Sequence, residues 1–547
     1  MQEESTDVIA AEAPAAAGAP GPGWLDESRH PTLARIIGTL LVVGLFIGLR
    51  WVDDTAFVLD EDGYGAPLLI TGLLTRPAAL AAFLIPVVAI LCYWRRLSWA
   101  RLEERPLVRV LATVMALVLA WAYACLHYNH FFDQPHSLDR WCLLLLAALV
   151  PVHPVFVVGT LAQAALLSHQ LDFPLHLTSN TDKRPIFDVL VVVEAALLVR
   201  LIAPRLKFSR TVIFLVLILM AGNYFRPGYA KVKIGWMAHE DLSLLFFAAT
   251  DNGWLSGVSE DRLQAIAALL RSLWVPLAIG TLVFELGTFF MLARRWLTIV
   301  ILAGCTALHV GIFLSSGICF WKWVILDLTL IGCLVALSPG ARRDLFERRM
   351  LILSILLIAL SHTLFRPKAL GWYDTPLSTV YRFEAVATSG QVYEVAPVDL
   401  APYEFSFAQG RFHFLTPGKT LMETYGSTHD LPILEALLAA ETRKEVLAVV
   451  EELGRRRKDP ERRAAMIRFL EQTFAARNRD SGREPLLSRL APPPHKFTGS
   501  ATELPRYTGS EQIRRVIVRR MLTWLSPRPP QVISSQVVLE VDVPADR

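Results

Sequence analysis

The run "GNYFRPGYAKVKIGW" (residues 222–236) ends a long apolar segment and places two lysines within three positions. If the helix continues past residue 225, Tyr224, Gly228, Lys231 and Gly235 fall at i, i+4, i+7 and i+11, on one face. Lys233 points elsewhere. The two glycines let a second backbone approach, as small residues do between membrane helices. An amine crowded in this way loses hydration, which disfavours the ammonium and equips Lys231 to accept a proton. The competing reading is that both lysines reach to the lipid headgroups, as lysines at span ends commonly do. Periodicity alone leaves both readings open.

Four further ionisable residues, Glu194, Glu285, His309 and Asp327, sit inside apolar runs, where their cost marks them as functional candidates. Pairing with one another for packing specificity would account for them equally well. Histidines gather elsewhere: His127, His130 and His136 in one loop, His239 in another. The "HxxH" spacing of His127 and His130 suits a metal, but the accompanying carboxylates and repeated histidine boxes are missing, so no metal is predicted. No phosphate-binding glycine loop, nucleophile elbow or "HExxH" motif occurs.

These residues need a membrane to hold them. The 547-residue chain is 53% hydrophobic and 19% charged, with a mean hydropathy of +0.42, far too apolar for a soluble multidomain protein. Apolar runs near 33–52, 77–94, 107–127, 186–203, 210–225, 272–293, 297–317, 321–338 and 351–365, with 138–170 as a hairpin broken at "PVHP", predict about ten or eleven spans. Basic connectors at 95–109, 205–210, 294–295 and 341–350 prefer the cytoplasm. That sorting puts the N-terminus inside and the loops at 53–63, 127–136 and 226–271 outside. Residues 1–30, acidic and then rich in Ala, Pro and Gly, read as a disordered cytoplasmic leader.

The tail after residue 365 changes character. "STVYRFEAVATSGQVYEVAPVD" and "YEFSFAQGRFHFL" alternate as strands do. Residues 431–477 carry helical periodicity, as two helices parted near Asp459-Pro460, and "QIRRVIVRRMLTWL" and "QVVLEVDV" read as late strands. The predicted fold is therefore an α-helical polytopic membrane bundle (31–365) in the inner or plasma membrane, with an extracytoplasmic α+β domain (366–547). All six cysteines lie in apolar segments, so no disulfide framework is implied. A net charge of +4, with basic residues gathered at span ends, excludes nucleic acid and leaves the lipid bilayer as the evident partner.

Three segments together, "YFRPGYAKVKIGWMAHE" (224–240), "FELGTFFMLARRW" (284–296) and "ALHVGIFLSSGICFWKWVIL" (307–326), resemble the membrane domain shared by vitamin K-dependent gamma-carboxylases and their bacterial relatives, the HTTM proteins. The stretch "NHFFDQPHSLDRWCLLLLAALVP" (129–151) resembles the family's "NH" loop, which singles out His130. The resemblance implies that Lys231 is the base that deprotonates a reduced vitamin K-type quinone. His309 and Glu285 would be its positioning partners, and Tyr224, Trp236 and Trp323 would shape the substrate pocket. In the family, oxygen then adds, a strong alkoxide forms, a glutamate side chain loses a proton and takes up carbon dioxide, and the quinone leaves as its epoxide. Ala230 and Lys233 depart from the family's polar and acidic positions, which bears on the carboxylation half of that chemistry. The alternative function is a non-catalytic membrane scaffold or maturation factor that binds a partner protein through the outer domain. A transporter would need interrupted half-helices that repeat along the chain, which it lacks.

Overall fold

A computed structural model describes residues 31–132, 135–177, 183–239, 241–421, 426–479, 486–499, 503–525 and 529–544. The leader, 1–30, lies outside the described residues. The apolar runs are helices. Among the described residues, five are long and apolar enough to cross a membrane: Thr32–Thr55, Leu107–Ala124, Phe208–Lys233, Trp274–Ala293 and Arg295–Ser316. Trp321–Ala336 with Pro339–Leu345, bent by 118°, makes a sixth if counted as one span.

This is fewer than the ten or eleven expected from apolar runs, for local reasons. Pro77–Cys92 has 16 residues and a proline inside it. Arg184–Ile202 carries Asp188, Glu194 and Arg200, and Val155–Asp172 ends in a polar stretch. Arg348–Ala359 stops after 12 residues. The run 138–170 is two helices, Ser137–Leu149 and Val155–Asp172, parted at Pro151–Pro154 as the prolines demand.

The hairpin runs through the bundle and back. At its turn, the Trp99 indole donates to Val150 O at 2.8 Å and His153 stacks on Trp94 at 3.4 Å, beside the connector 95–109. At the opposite end, Asn129 donates to the carbonyls of Gln170 and Phe173. The basic connectors share one end of the bundle. Arg35 pairs with Asp344 and Glu347, Arg210 pairs with the same Asp344, Ser209 donates to Glu103, and Arg295 donates to Leu334 O.

The tail packs against the other end. Tyr403 accepts from Leu175 N, Arg468 pairs with Glu61, and Tyr373 donates to Ile234 O. Its four-stranded antiparallel sheet has the order Val392–Val395, Leu377–Ala387, Ile513–Trp524, Gln531–Asp542. The first hairpin turns at Gly390, whose φ of +92° favours glycine. Across the central pair, Arg519 grips Glu384 with two nitrogens, at 2.8 and 3.2 Å.

Two expectations for the tail are corrected. "YEFSFAQGRFHFL" is not a strand but a short helix, Glu404–Ala408, and a 3-10 turn, His413–Leu415. Its alternating aromatics serve packing: Phe407 and Phe412 lie 4.6 Å apart and both meet Phe383 of the sheet, while Phe469 of the long helix Pro460–Arg479 closes over Tyr403 and Phe407. The helical region breaks at Pro460 as expected, but also at Thr442, giving Leu431–Ala439 and Arg443–Leu453. Thr442 and Glu445 form a capping box there, which starts a new helix. The boundary near 365 is not a clean division either. Phe246, Phe247 and Leu263, from the 242–272 insert, bury themselves against Leu525 of the tail.

Candidate functional site

The Phe208–Lys233 helix carries the site. Pro227 within it removes the amide that Asn223 O would have accepted. At Gly228 the helix touches the segment bearing Glu285 so closely that a Cβ would lie 2.8 Å from Glu285 Cβ. This contact delivers the pair that matters: Lys231 Nζ donates to Glu285 Oε1 at 2.5 Å, with the two side chains 16% and 7% exposed. Trp236 lies 5.5 Å from the same nitrogen and packs edge-on against Trp274.

Lys233 is exposed, in keeping with a headgroup role. Gly235 differs from its expected part as a helix-face contact. It stands at φ +69° just beyond the helix, and Gly235 N closes the last turn on Val232 O. The Glu285 helix tightens into a 3-10 turn, Thr288–Ala293, and the Thr288 hydroxyl meets both Glu285 O and Ala221 O, fixing that crossing.

About 10 Å back along the same face, two turns before Lys231, is Tyr224. Its hydroxyl donates to Asp327 Oδ2 at 2.6 Å and lies 3.5 Å from His309 Nδ1. The ring meets Trp323 edge-on at 5.3 Å, and Phe320 stacks on His309 at 4.7 Å. Tyr224 lies within charge-interaction range of Asp327, Cys305 and Glu285, and Cys305 within range of both acids. Glu285 Oε2, Trp323 Nε1 and Asp327 Oδ1 are buried here with no hydrogen-bond partner among the described residues.

Six of the seven residues singled out by sequence therefore come together: Lys231, Glu285, His309, Tyr224, Trp236 and Trp323. His130 is placed elsewhere. Its ring meets Tyr128, and burial, followed by Arg477, His127 and Arg140, pushes its pKa down to about 3, so it stays neutral at physiological pH. Glu194 is on another helix, within reach of Asp53. Among the described residues no three His, Cys, Asp or Glu gather as metal ligands. Asp327 had a signal, an acid in an apolar run, but no motif tied it to Tyr224; Phe320 and Cys305 had none.

Gly228→Val is expected to destabilise the bundle by roughly 1–3 kcal/mol through overpacking and to separate Lys231 from Glu285. Thermal unfolding in detergent, compared with that of Lys233→Ala, checks it. Comparison of the chain with family models, with curated proteins and with solved structures returns no match.

Proposed function

We propose that this chain is a multi-pass membrane protein of the vitamin K-dependent gamma-carboxylase-like kind that oxidises a reduced quinone, with its N-terminus cytoplasmic and its tail domain outside. The observation that carries the reading is the Lys231–Glu285 pair, its acid buried, its amine half-buried and the Trp236 ring beside the nitrogen. A reduced naphthoquinone would supply an acidic ring hydroxyl and, taking one atom of dioxygen, leave as its epoxide, the other oxygen atom and the two hydroquinone hydrogens leaving as water.

Lys231 Nζ is the acceptor for that hydroxyl proton. Glu285 takes part by holding the amine, its Oε1 accepting from Lys231 Nζ at 2.5 Å, so that a proton arriving on the nitrogen has a carboxylate beside it. Trp236, backed edge-on by Trp274, lies beside the amine, and exclusion of water by a bound ligand would protect any strong base formed there from quenching. The Trp323 indole and the Asp327 carboxylate, both in contact with Tyr224, offer a donor and an acceptor to the far edge of the ligand. Sorting of the basic connectors to the bundle end opposite the tail supports the orientation.

The test is to supply purified protein with reduced naphthoquinone and oxygen and to follow epoxide by mass spectrometry. Epoxide from the native chain is expected; none from the native chain sinks the proposal. The second reading, a partner-binding scaffold, draws on the outer strand Gln531–Asp542, which pairs on one side only among the described residues and so offers a backbone edge. A stable protein that co-purifies with the native chain and is lost when that strand is broken by proline, with no turnover throughout, would favour it.

A further inference from the structure

The stretch "APPPHKF" (491–497) follows the turn Leu486–Leu490 and lies across the tail-facing end of the bundle. Two indoles read its backbone: Trp121 Nε1 donates to Leu490 O at 2.7 Å and Trp321 Nε1 donates to Pro493 O at 3.2 Å, with the rings 4.8 Å apart. Paired aromatics with N–H donors are suited to proline-rich segments, which are already extended, lose little entropy on docking and present free carbonyls.

The stretch then pairs with the turn that joins Arg295–Ser316 to Trp321–Ala336. Cys319 N donates to His495 O at 2.7 Å, Phe497 N donates to Gly317 O at 2.9 Å, and Ile318 faces Lys496 in antiparallel register. Gly317, at φ +69°, has no room for a side chain: a Cβ would stand 2.9 Å from Trp254 and 3.0 Å from Phe497 O.

This docking delivers His495. Its Nδ1 lies 3.2 Å from Cys319 O, and because a carbonyl can only accept, Nδ1 carries the proton. The ring meets Phe320 edge-on at 4.9 Å, and Phe320 is the ring stacked on His309. Three rings in succession thus run from the soluble domain into the buried cluster.

We propose that residues 491–497 are a clasp by which the soluble domain supplies the missing wall of the site, and that His495 is a positioning residue holding Phe320 over His309. The proposal rests on reading the Tyr224–His309–Asp327 cluster as the working site. It does not require any particular substrate.

Neighbours in a hydrogen-bonded antiparallel pair have Cα atoms about 5.5 Å apart, within reach of a disulfide. Mild oxidation of the full-length His495→Cys variant in membranes is therefore expected to join residue 495 to native Cys319, seen as a linked peptide. Absence of the link overturns the clasp. Entry to the cluster is read from alkylation of buried Cys305 by N-ethylmaleimide, followed by peptide mass spectrometry. The oxidised variant is expected to react roughly tenfold more slowly than the same variant reduced, and His495→Ala roughly tenfold faster than the native chain, about the loss of a hydrogen bond and a ring contact. His495→Asn, whose amide keeps the donor to Cys319 O, should recover part of the protection. Equal rates in all of these overturn the assignment of His495 without touching the quinone reading. Missing epoxide with the rate differences intact would remove the quinone reading and leave the clasp standing.

Lys496, beside His495 and in register with Ile318, is 3% exposed, and burial holds its amine well below 10.5, the attraction of Asp251 opposing this in part. The unfolded chain then binds a proton that the folded chain lacks, so stability rises with pH between the depressed folded value and 10.5. Melting temperature is expected to climb from about pH 7 to about pH 9 in the native chain and to climb less in Lys496→Met. Identical pH profiles for the two would show that the amine stays charged in place.

Discussion

Lys231→Met is expected to lower epoxide formation from reduced naphthoquinone roughly 10²–10⁴-fold, the usual loss when a general base is removed. The substitution keeps the length and apolar stem of the side chain, so the packing at Gly228 and Trp236 survives and the loss reads on the nitrogen. Glu285→Gln should lose less. Its amide still meets Nζ, but the second proton site is gone, so the pH profile of turnover should change shape along with its height. Lys233→Met is the internal control: its side chain is exposed and should leave turnover unchanged. Equal losses at 231 and 233 would mean that surface charge, rather than a buried base, governs the reaction. Epoxide mass and quinone fluorescence, measured on the same samples, decide the matter.

The largest effect on stability is expected at Asp188. Its carboxylate lies between Arg50, at 3.5 Å, and Arg184, at 3.0 Å, with 2% of the side chain exposed. Arg50 also donates to Phe365 O, and Phe46 packs edge-on against Phe365, so this centre ties the first bundle helix to the end of the last. In Asp188→Ala, Arg184 keeps Asp54, whereas Arg50 loses its carboxylate in a buried setting. Removing one partner of a buried ion pair costs about 3–5 kcal/mol, mostly through the charge left behind. Arg50→Met combined with Asp188→Leu should therefore recover much of the loss, since neither charge remains. Unfolding in detergent micelles, run as a double-mutant cycle, tests this, and simple additivity of the two losses would contradict it.

The helices and the six-residue cluster were legible in the chain because each left a local trace. Lys231 stood three positions from Gly228 and seven from Tyr224, and Glu285 and His309 were ionisable residues in apolar runs. The hairpin at 138–170 was legible through its prolines. What could not be read depended on separation along the chain. Nothing near His495 marks it as a neighbour of Phe320, and nothing near Asp327 marks Tyr224 as its donor. The aromatic alternation at 403–415 misled because period two describes any segment that packs rings on one side, including a short helix between turns. The apolar runs outnumber the five helices, or six with the bent pair, that are long and apolar enough to cross among the described residues, for a related reason: an apolar run records burial as well as crossing, and burial inside a bundle requires less length than crossing a bilayer.

The position of the clasp in the chain bears on how the protein is made. A nascent polypeptide emerges from its N-terminus, so Trp121, Trp321 and the Lys231 helix are in place well before residues 490–497 leave the ribosome. On the proposed reading, copies made as far as the Lys231 helix carry the amine and its acid before the clasp exists to cover the neighbouring cluster. Closing the Tyr224–His309–Asp327 cluster then waits for the outer domain to fold and dock.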